Sequence, residues 1–296
     1  MIVFFNHWHN GDLHVSRTFV KKISRHIGGA VYAHKNDSGL LNDLDVETNP
    51  SLLKNVSKED VVKKVGGDTY VNTWYGAERF RFIKQEEISF SCLYSLFEYS
   101  CNKLGFSISD IDQNPWGFFP SIDYTKFHIG RIDKFVKTDT RKKVLICNNA
   151  VRSGQAVNFD MNQAIMLLAQ TYRDTLWLVT NKTSPVIKMG NVIYTSDVIG
   201  KSAGSDLNEN SYIAGFCDLV VGRYSGPYTF SYTYNYLFKR GLRYVCFLAK
   251  GRPGISDAKW IGNRFGNTRY KSRIISSPET TTKKVVSVVA RELQGA

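Results

Sequence analysis

The chain has no apolar run approaching the roughly 18 residues that a transmembrane helix needs. Its first apolar stretch, Met1-Ile2-Val3-Phe4-Phe5, stops at Asn6 and His7 and carries no basic leader, so it reads as a β-strand and not as a signal segment. The expectation is a cytoplasmic, non-exported protein. The cysteines, Cys92, Cys101, Cys147, Cys217 and Cys246, are odd in number and show no CxxC spacing. That pattern argues against a disulfide framework and a structural zinc, and fits buried reduced thiols. The sequence also lacks a GxGxxG fingerprint, a Walker lysine motif and a GxSxG elbow. Asp43-Leu44-Asp45 and Asp110-Ile111-Asp112 imitate a metal-binding DxD, yet neither follows a clear apolar strand. No metal and no cofactor is expected. Short-period repeats and low-complexity tracts are absent as well.

What is present suits a folded protein of two ordinary domains or one large one: 296 residues, 43% hydrophobic and 13% aromatic, enough for a substantial core. A formal net charge of +13 implies an anionic partner. The charge is dispersed over Lys21-Lys22, Arg79 and Arg81, Arg141-Lys142-Lys143, Lys239-Arg240 and Arg264 to Arg273. No zinc-finger, RRM-like or helix-turn-helix pattern accompanies it, which argues against nucleic acid. Nucleotide diphosphates, acidic glycans and an anionic membrane surface touched peripherally remain.

Hydrophobic periodicity predicts strands and helices in alternation. In the first half the strands are Ile2–Asn6, Ala30–His34 and Asp68–Trp74, with helices over Leu13–Ile27 and Ile88–Leu104. Residues 110–133, with Pro115, Trp116 and Pro120, suit a linker. A second block predicts strands at Val144–Asn148, Asp174–Thr180, Val192–Tyr194 and Tyr244–Leu248 and a helix over Met161–Tyr172. A final helix starts near Glu279, capped by Ser277-Pro278. Two successive βαβ blocks predict two parallel sheets with helices on both faces, and ligands at the carboxyl ends of the strands.

The most informative stretch is 206–230. An amphipathic helix from Asn208 to Phe216 runs into the strand Cys217–Val221, the turn Gly222-Arg223-Tyr224-Ser225-Gly226-Pro227 and a new helix start. Free N–H groups at such a helix start, with the helix dipole, suit a phosphate. Gly226 admits a ligand to the main chain, Pro227 fits the first helical position and Ser225 can cap or donate. The plain alternative is a helix start and nothing more. The aromatic run Tyr228 to Tyr236 is better explained as a packed helix face.

Two further loops follow strands. The first is Asn6-His7-Trp8-His9-Asn10-Gly11-Asp12-Leu13-His14, where His7 and His9 alternate like strand residues and Asp12 stands at the expected N-cap. The second is Asn148-Asn149-Ala150-Val151-Arg152-Ser153-Gly154-Gln155. Asn181-Lys182-Thr183 can line a base pocket, and Asp206 and Glu209 stand where a ligand could be held, but a solvated surface is the better reading of these residues.

The run Asp218 to Pro227, with Gly11-Asp12-Leu13-His14-Val15 near the start, resembles GT-B glycosyltransferases, especially the ADP-heptose:lipopolysaccharide heptosyltransferase-like group. One departure is Tyr228-Thr229-Phe230, where heptosyltransferases usually place a His soon after the turn. The resemblance implies an α/β fold with two Rossmann-like domains facing across a cleft, residues 1–138 taking the acceptor and 139–296 the nucleotide sugar. The final helix is then free to pack back on the first domain. It further implies transfer from a nucleotide-diphosphate sugar to a glycan or glycolipid, inverting and independent of metal. Carried over, Asp12 is the base, with His14 or another loop histidine its alternative, and Arg152 steadies the leaving diphosphate. Asn149, Ser153, Asn181, Asp206, Glu209, Arg223, Tyr224, Ser225, Gly226 and Pro227 surround the donor; His7, His9 and Asn10 face the acceptor. A non-catalytic nucleotide- or glycan-binding module, or a GT-B-type nucleotide-sugar epimerase, is the alternative.

Overall fold

The computed structural model describes residues 1–35, 39–74, 76–77, 90–111, 118–152, 154–200, 204–250, 271–278 and 280–295. These fall into two compact units, one spanning Met1–Ile122 and the other starting at Asp123. Residues 123–138, placed with the first domain in the sequence reading, cluster here with the second unit. Their helix Gly130–Thr138 lies against that unit's helices: Arg131 donates to the carbonyl of Asp197, and the Tyr212 hydroxyl bonds to Asp133.

In the first unit, strands β1 (Ile2–Asn6), β2 (Ala30–His34), β3 (Val46–Thr48), β4 (Val62–Val65) and β5 (Asp68–Asn72) form one sheet in the order β3-β2-β1-β5-β4. All neighbours are parallel except β4, which pairs antiparallel with β5. The order reverses beside β1, with β2 on one side and β5 on the other. The short edge strands β3 and β4 carry no long apolar run and gave no sequence signal. Helix α1 (Asn10–Val15) and helix α2 (Arg17–Ile27) replace the single helix expected over 13–27. The break falls at Ser16, whose hydroxyl donates to the Leu13 carbonyl over 3.0 Å, a local bond that competes with helix continuation. Gly28, at φ 78°, takes the left-handed conformation that ends α2. Helix α3 (Phe90–Leu104) packs through Phe97 on Phe19, and Phe19 on Phe4, with ring centroids 5.4 and 6.1 Å apart. Val3, Phe5, Ala33, Val56 and Tyr70 form the core on the opposite face. Burying a Val or Phe side chain there contributes about 1.5–3 kcal/mol.

The second unit holds a six-stranded, wholly parallel sheet. Its strands are β6 (Lys142–Cys147), β7 (Thr175–Val179), β8 (Val192–Tyr194), β9 (Leu219–Arg223), β10 (Arg243–Phe247) and β11 (Ile274–Ser277), ordered β11-β10-β9-β6-β7-β8. Strands 6, 7, 9 and 10 are buried along most of their length, as a sheet covered on both faces requires. Val144, Ile146, Trp177, Val179, Leu219, Val221, Val245 and Phe247 point to one face. Ile165 and Leu168, from the helix Asn162–Thr171, and Val285 and Val289, from the helix Thr282–Gln294, cover them. The C-terminal helix starts at Thr282 with Thr281 as N-cap, so the expected cap at Ser277-Pro278 is displaced: Ser277 is the last residue of β11. Glu279 lies outside the described residues, as do Pro115 and Trp116 of the expected linker. The aromatic run after the turn is packed as expected, with Tyr228, Phe230, Tyr232 and Tyr236 all buried.

Candidate functional site

Each sheet presents loops at the point where its strand order reverses, and in open α/β sheets that is where ligands collect. In the first unit the point lies between β1 and β5. Asn6, wholly buried at the end of β1, accepts the Trp8 N–H on its Oδ1 over 2.8 Å. The chain turns there, so the loop expected after β1 begins at His7, and the strand-like alternation of His7 and His9 does not extend β1. His9, not Asp12, is the N-cap of α1. Asp12 occupies the third helical position and its Oδ2 accepts the His9 N–H over 3.2 Å, the reach-back of a capping box.

Burial pushes the Asp12 carboxyl above the usual carboxylate range, against the lowering effect of the His9 amide, the His9 ring and Lys35. Burial likewise pulls the His7 imidazole down, helped by Lys35 and opposed by the Val56 carbonyl and Asp60. Asp12, His7, His9 and Asn10 are all half-buried on this turn and the helix it opens. His14 differs: it is fully buried in α1.

In the second unit the reversal lies between β6 and β9. Gly222 is required by their approach, since a Cβ there would stand 2.6 Å from both the Cβ and the carbonyl oxygen of its partner Cys147. Arg223, 6% exposed, ends β9. Its Nε donates to the Asn149 carbonyl over 3.1 Å and its terminal nitrogens to the carbonyls of Asn148 and, over 2.6 Å, Phe159. The guanidinium therefore holds the loop after β6 instead of projecting into the turn as an anion ligand.

Asn148 in turn exchanges both side-chain hydrogen bonds with the main chain of Asn181, each 2.9 Å, and Thr180 Oγ1 donates to Asn149 Oδ1 over 2.6 Å. The expected loops after β6, β7 and β9 are thus tied into one surface. Asn158 braces Val151 through bonds of 2.8 and 2.9 Å. Arg152, next to it, is exposed, and Ser153 lies outside the described residues.

Beyond Arg223 the chain turns at Tyr224 and Ser225 into the short helix Gly226–Phe230, with Pro227 in its first turn. Ser225 is 5% exposed, and its Oγ makes no hydrogen bond. Gly226 faces Leu207, where an added Cβ would lie 3.3 Å from Cδ2. Leu207 opens the helix Leu207–Ala214, which carries Glu209 and has Asp206 at its N-cap. Glu209 is 4% exposed, which overturns the solvated-surface expectation for it, and its Oε2 has no hydrogen-bond partner. Burial raises the Glu209 carboxyl, Asp206 adds to the rise, and its own backbone amide and His128 oppose it. Burial also raises Asp206, against an Asn210 hydrogen bond. Two protonation-prone carboxyls and an unpaired hydroxyl flank one turn, a set suited to ligand hydroxyls and phosphate oxygens. In the sequence both carboxylates read first as solvated surface, and only the resemblance gave them a place beside the donor.

Among the described residues no three His, Cys, Asp or Glu side chains are grouped to hold a metal ion. None of the described helices is long and apolar enough to cross a membrane.

No protein-family model and no curated protein sequence matches this chain. Solved structures do. A member of glycosyl transferase family 9 from Veillonella parvula superposes over 100% of this chain and 97% of its own, with a TM-score of 0.53 and 10% identity. The E. coli heptosyltransferase WaaC with ADP covers 99% of this chain and 98% of its own at a TM-score of 0.54 and 9% identity. A Listeria monocytogenes structure assigned as a UDP-N-acetylglucosamine 2-epimerase covers 99% and 87% at 0.51 and 8%. The chain therefore has the GT-B fold.

Proposed function

We propose that this chain is a glycosyltransferase that moves a sugar from a nucleotide-diphosphate donor to a glycan or lipid-linked acceptor in polysaccharide assembly. The likeness to heptosyltransferases over nearly the whole of both chains carries this reading. The second unit, starting at Asp123, binds the donor, and the first unit, Met1–Ile122, takes the acceptor. The main-chain N–H groups of Gly226 and Tyr228, in the first turn of the helix Gly226–Phe230, take the diphosphate with Ser225 Oγ. Glu209 and Asp206 take ribose hydroxyls or base amino groups, and Asn149, Asn181 and Tyr224 complete the surroundings. Arg152, exposed beside a braced turn, offsets charge on the leaving diphosphate, and the Ser153 hydroxyl donates a hydrogen bond to it.

Asp12 acts as general base. The acceptor hydroxyl gives its proton to the Asp12 carboxylate, the oxygen bonds to the anomeric carbon, and the bond from that carbon to the diphosphate oxygen breaks with its electron pair on the diphosphate. A carboxyl raised by burial is a stronger base than an exposed one. His7, whose imidazole burial keeps neutral, is the second candidate. His9 and Asn10 line the acceptor side; His14, buried, orients α1. A net charge of +13 suits a protein working in the cytoplasm at an anionic membrane surface, where lipid-linked acceptors lie.

A thermal-shift screen with ADP, GDP, UDP and CMP and their sugars, followed by product analysis with and without acceptor, tests the reading. A selective donor shift with acceptor-dependent transfer supports it. The Listeria structure motivates a second reading, epimerisation, which would give isomerised free donor with no acceptor. Binding without turnover would mark a non-catalytic module.

A further inference from the structure

Two neighbouring strands of the first sheet end in the same device. At the end of β1, Asn6 Oδ1 accepts the N–H of Trp8; at the end of β5, Asn72 Oδ1 accepts the N–H of Trp74, each over 2.8 Å. The strands are parallel with Phe5 opposite Asn72, so the two Asn-x-Trp turns stand side by side, offset by one residue, at the reversal of strand order. The indoles meet with ring centroids 4.5 Å apart and planes tilted by 35°, and both stay half-buried. Gly76 fixes the second ring, since a Cβ there would come within 2.4 Å of the Trp74 Cζ2. The ammonium of Lys58, an exposed residue, sits 5.7 Å from the Trp8 ring centroid. Lys35, exposed just past β2, is close enough to act electrostatically on both His7 and Asp12. Trp8 Nε1 and His7 Nε2 are buried atoms with no hydrogen-bond partner.

A half-buried indole pair with an ammonium 5.7 Å from one ring and a second cation nearby does little for core packing. It matches one ligand chemistry: the C–H face of a pyranose against the exposed part of the indoles and an acidic substituent on the lysines. We propose that Trp8 and Trp74, with Lys58 and Lys35, form a subsite for a pyranose carrying a carboxylate or a phosphate, next to Asp12. The subsite deepens the reading of this unit as the acceptor side.

The test uses the full chain without any donor. Saturation-transfer NMR and indole fluorescence are followed with methyl β-D-glucuronide, glucose 6-phosphate and methyl β-D-glucoside. The acidic sugars are expected to bind about tenfold more tightly than the glucoside, and whichever of the two binds better names the acid. Trp74→Ala is expected to weaken that binding about tenfold, Trp74→Phe to restore most of it, and Lys58→Gln to erase the preference over the glucoside. Equal binding of neutral and acidic sugars overturns the proposal, as does acid preference unchanged in Lys58→Gln. If Trp74→Ala does not fold, Trp74→Phe and Lys58→Gln decide. Failure of sugar transfer would strike the glycosyltransferase reading and leave this readout standing, whereas transfer with no acidic preference would remove the subsite alone.

Discussion

Arg223 at the end of β9 donates through Nε to the carbonyl of Asn149, 3.1 Å away beyond the end of β6. With its further bonds to the carbonyls of Asn148 and Phe159, the side chain fastens two loops at one reversal point of the sheet. The guanidinium also stacks on the Phe159 ring, 5.6 Å from its centroid. Arg223→Met keeps the stem and strands those carbonyls. It is expected to cost roughly 3 kcal/mol and to weaken donor binding by releasing Asn149. Urea unfolding measures the first effect and calorimetric titration the second; a loss under about 0.5 kcal/mol would show that the clamp is not needed.

Gly222 lies in the same strand, opposite Cys147. Its replacement by alanine forces a Cβ against the carbonyl oxygen and Cβ of Cys147, both 2.6 Å from the ideal position. Overpacking of that kind, in a strand paired on both sides, is expected to cost about 2 kcal/mol. Thermal unfolding of Gly222→Ala checks it, and an unchanged midpoint would mean that β6 and β9 can part.

Ser225 gives the opposite dissociation of stability from binding. Its Oγ is buried and makes no hydrogen bond, so Ser225→Ala removes nothing that holds the fold. The melting temperature should stay where it is, while affinity for the nucleoside diphosphate drops about tenfold through one lost bond to a charged oxygen. A changed melting temperature with full affinity would assign Ser225 to the fold.

Much of this was legible in the sequence, and the failures have physical causes. The central strands carry runs such as Val144–Cys147 and Leu219–Val221 that only a doubly covered sheet explains, and they were placed within a residue or two. The edge strands β3, β4 and β11 are short and carry polar residues within three or four positions, whereas the equally short edge strand β8 was legible because Val192–Tyr194 is wholly apolar or aromatic. The turn at Ser225 was visible because Gly and Pro mark it. The role of Arg223 was not: its place beside a phosphate-like turn suggested an anion ligand, and only the neighbouring loop, far off in sequence, shows the carbonyls it satisfies. Asp12 was displaced from N-cap to third helical position because the histidine before Asn10 starts the helix, a choice propensity does not favour. The twin Asn-x-Trp turns were present as letters, but their equivalence depends on strand register.

Glu209 links pH to stability with a definite sign. Its carboxyl is raised by burial and by Asp206, so over the window from the ordinary carboxylate pKa upward the folded state holds a proton that the unfolded state has lost. Stability therefore falls as pH rises through that window. Glu209→Gln, which cannot ionise, is expected to unfold at higher temperature than the native chain at pH 7 and at the same temperature near or below about pH 4, where both carry a neutral side chain. Melts at the two pH values check the sign, and a Gln variant less stable at pH 7 would reverse it. The same substitution should weaken donor binding, since an amide accepts ligand hydroxyls less strongly than a carboxylate.

Donor binding and single-turnover sugar transfer, measured together on the native chain and on Asp12→Asn, reach the central claim most directly. The asparagine can still accept the His9 N–H, so the turn survives and donor affinity should match the native value. Transfer to acceptor should fall by about a hundredfold to ten-thousandfold, the usual worth of a general base. Native-level transfer by Asp12→Asn, or no binding of any nucleotide sugar by the native chain, would contradict the account.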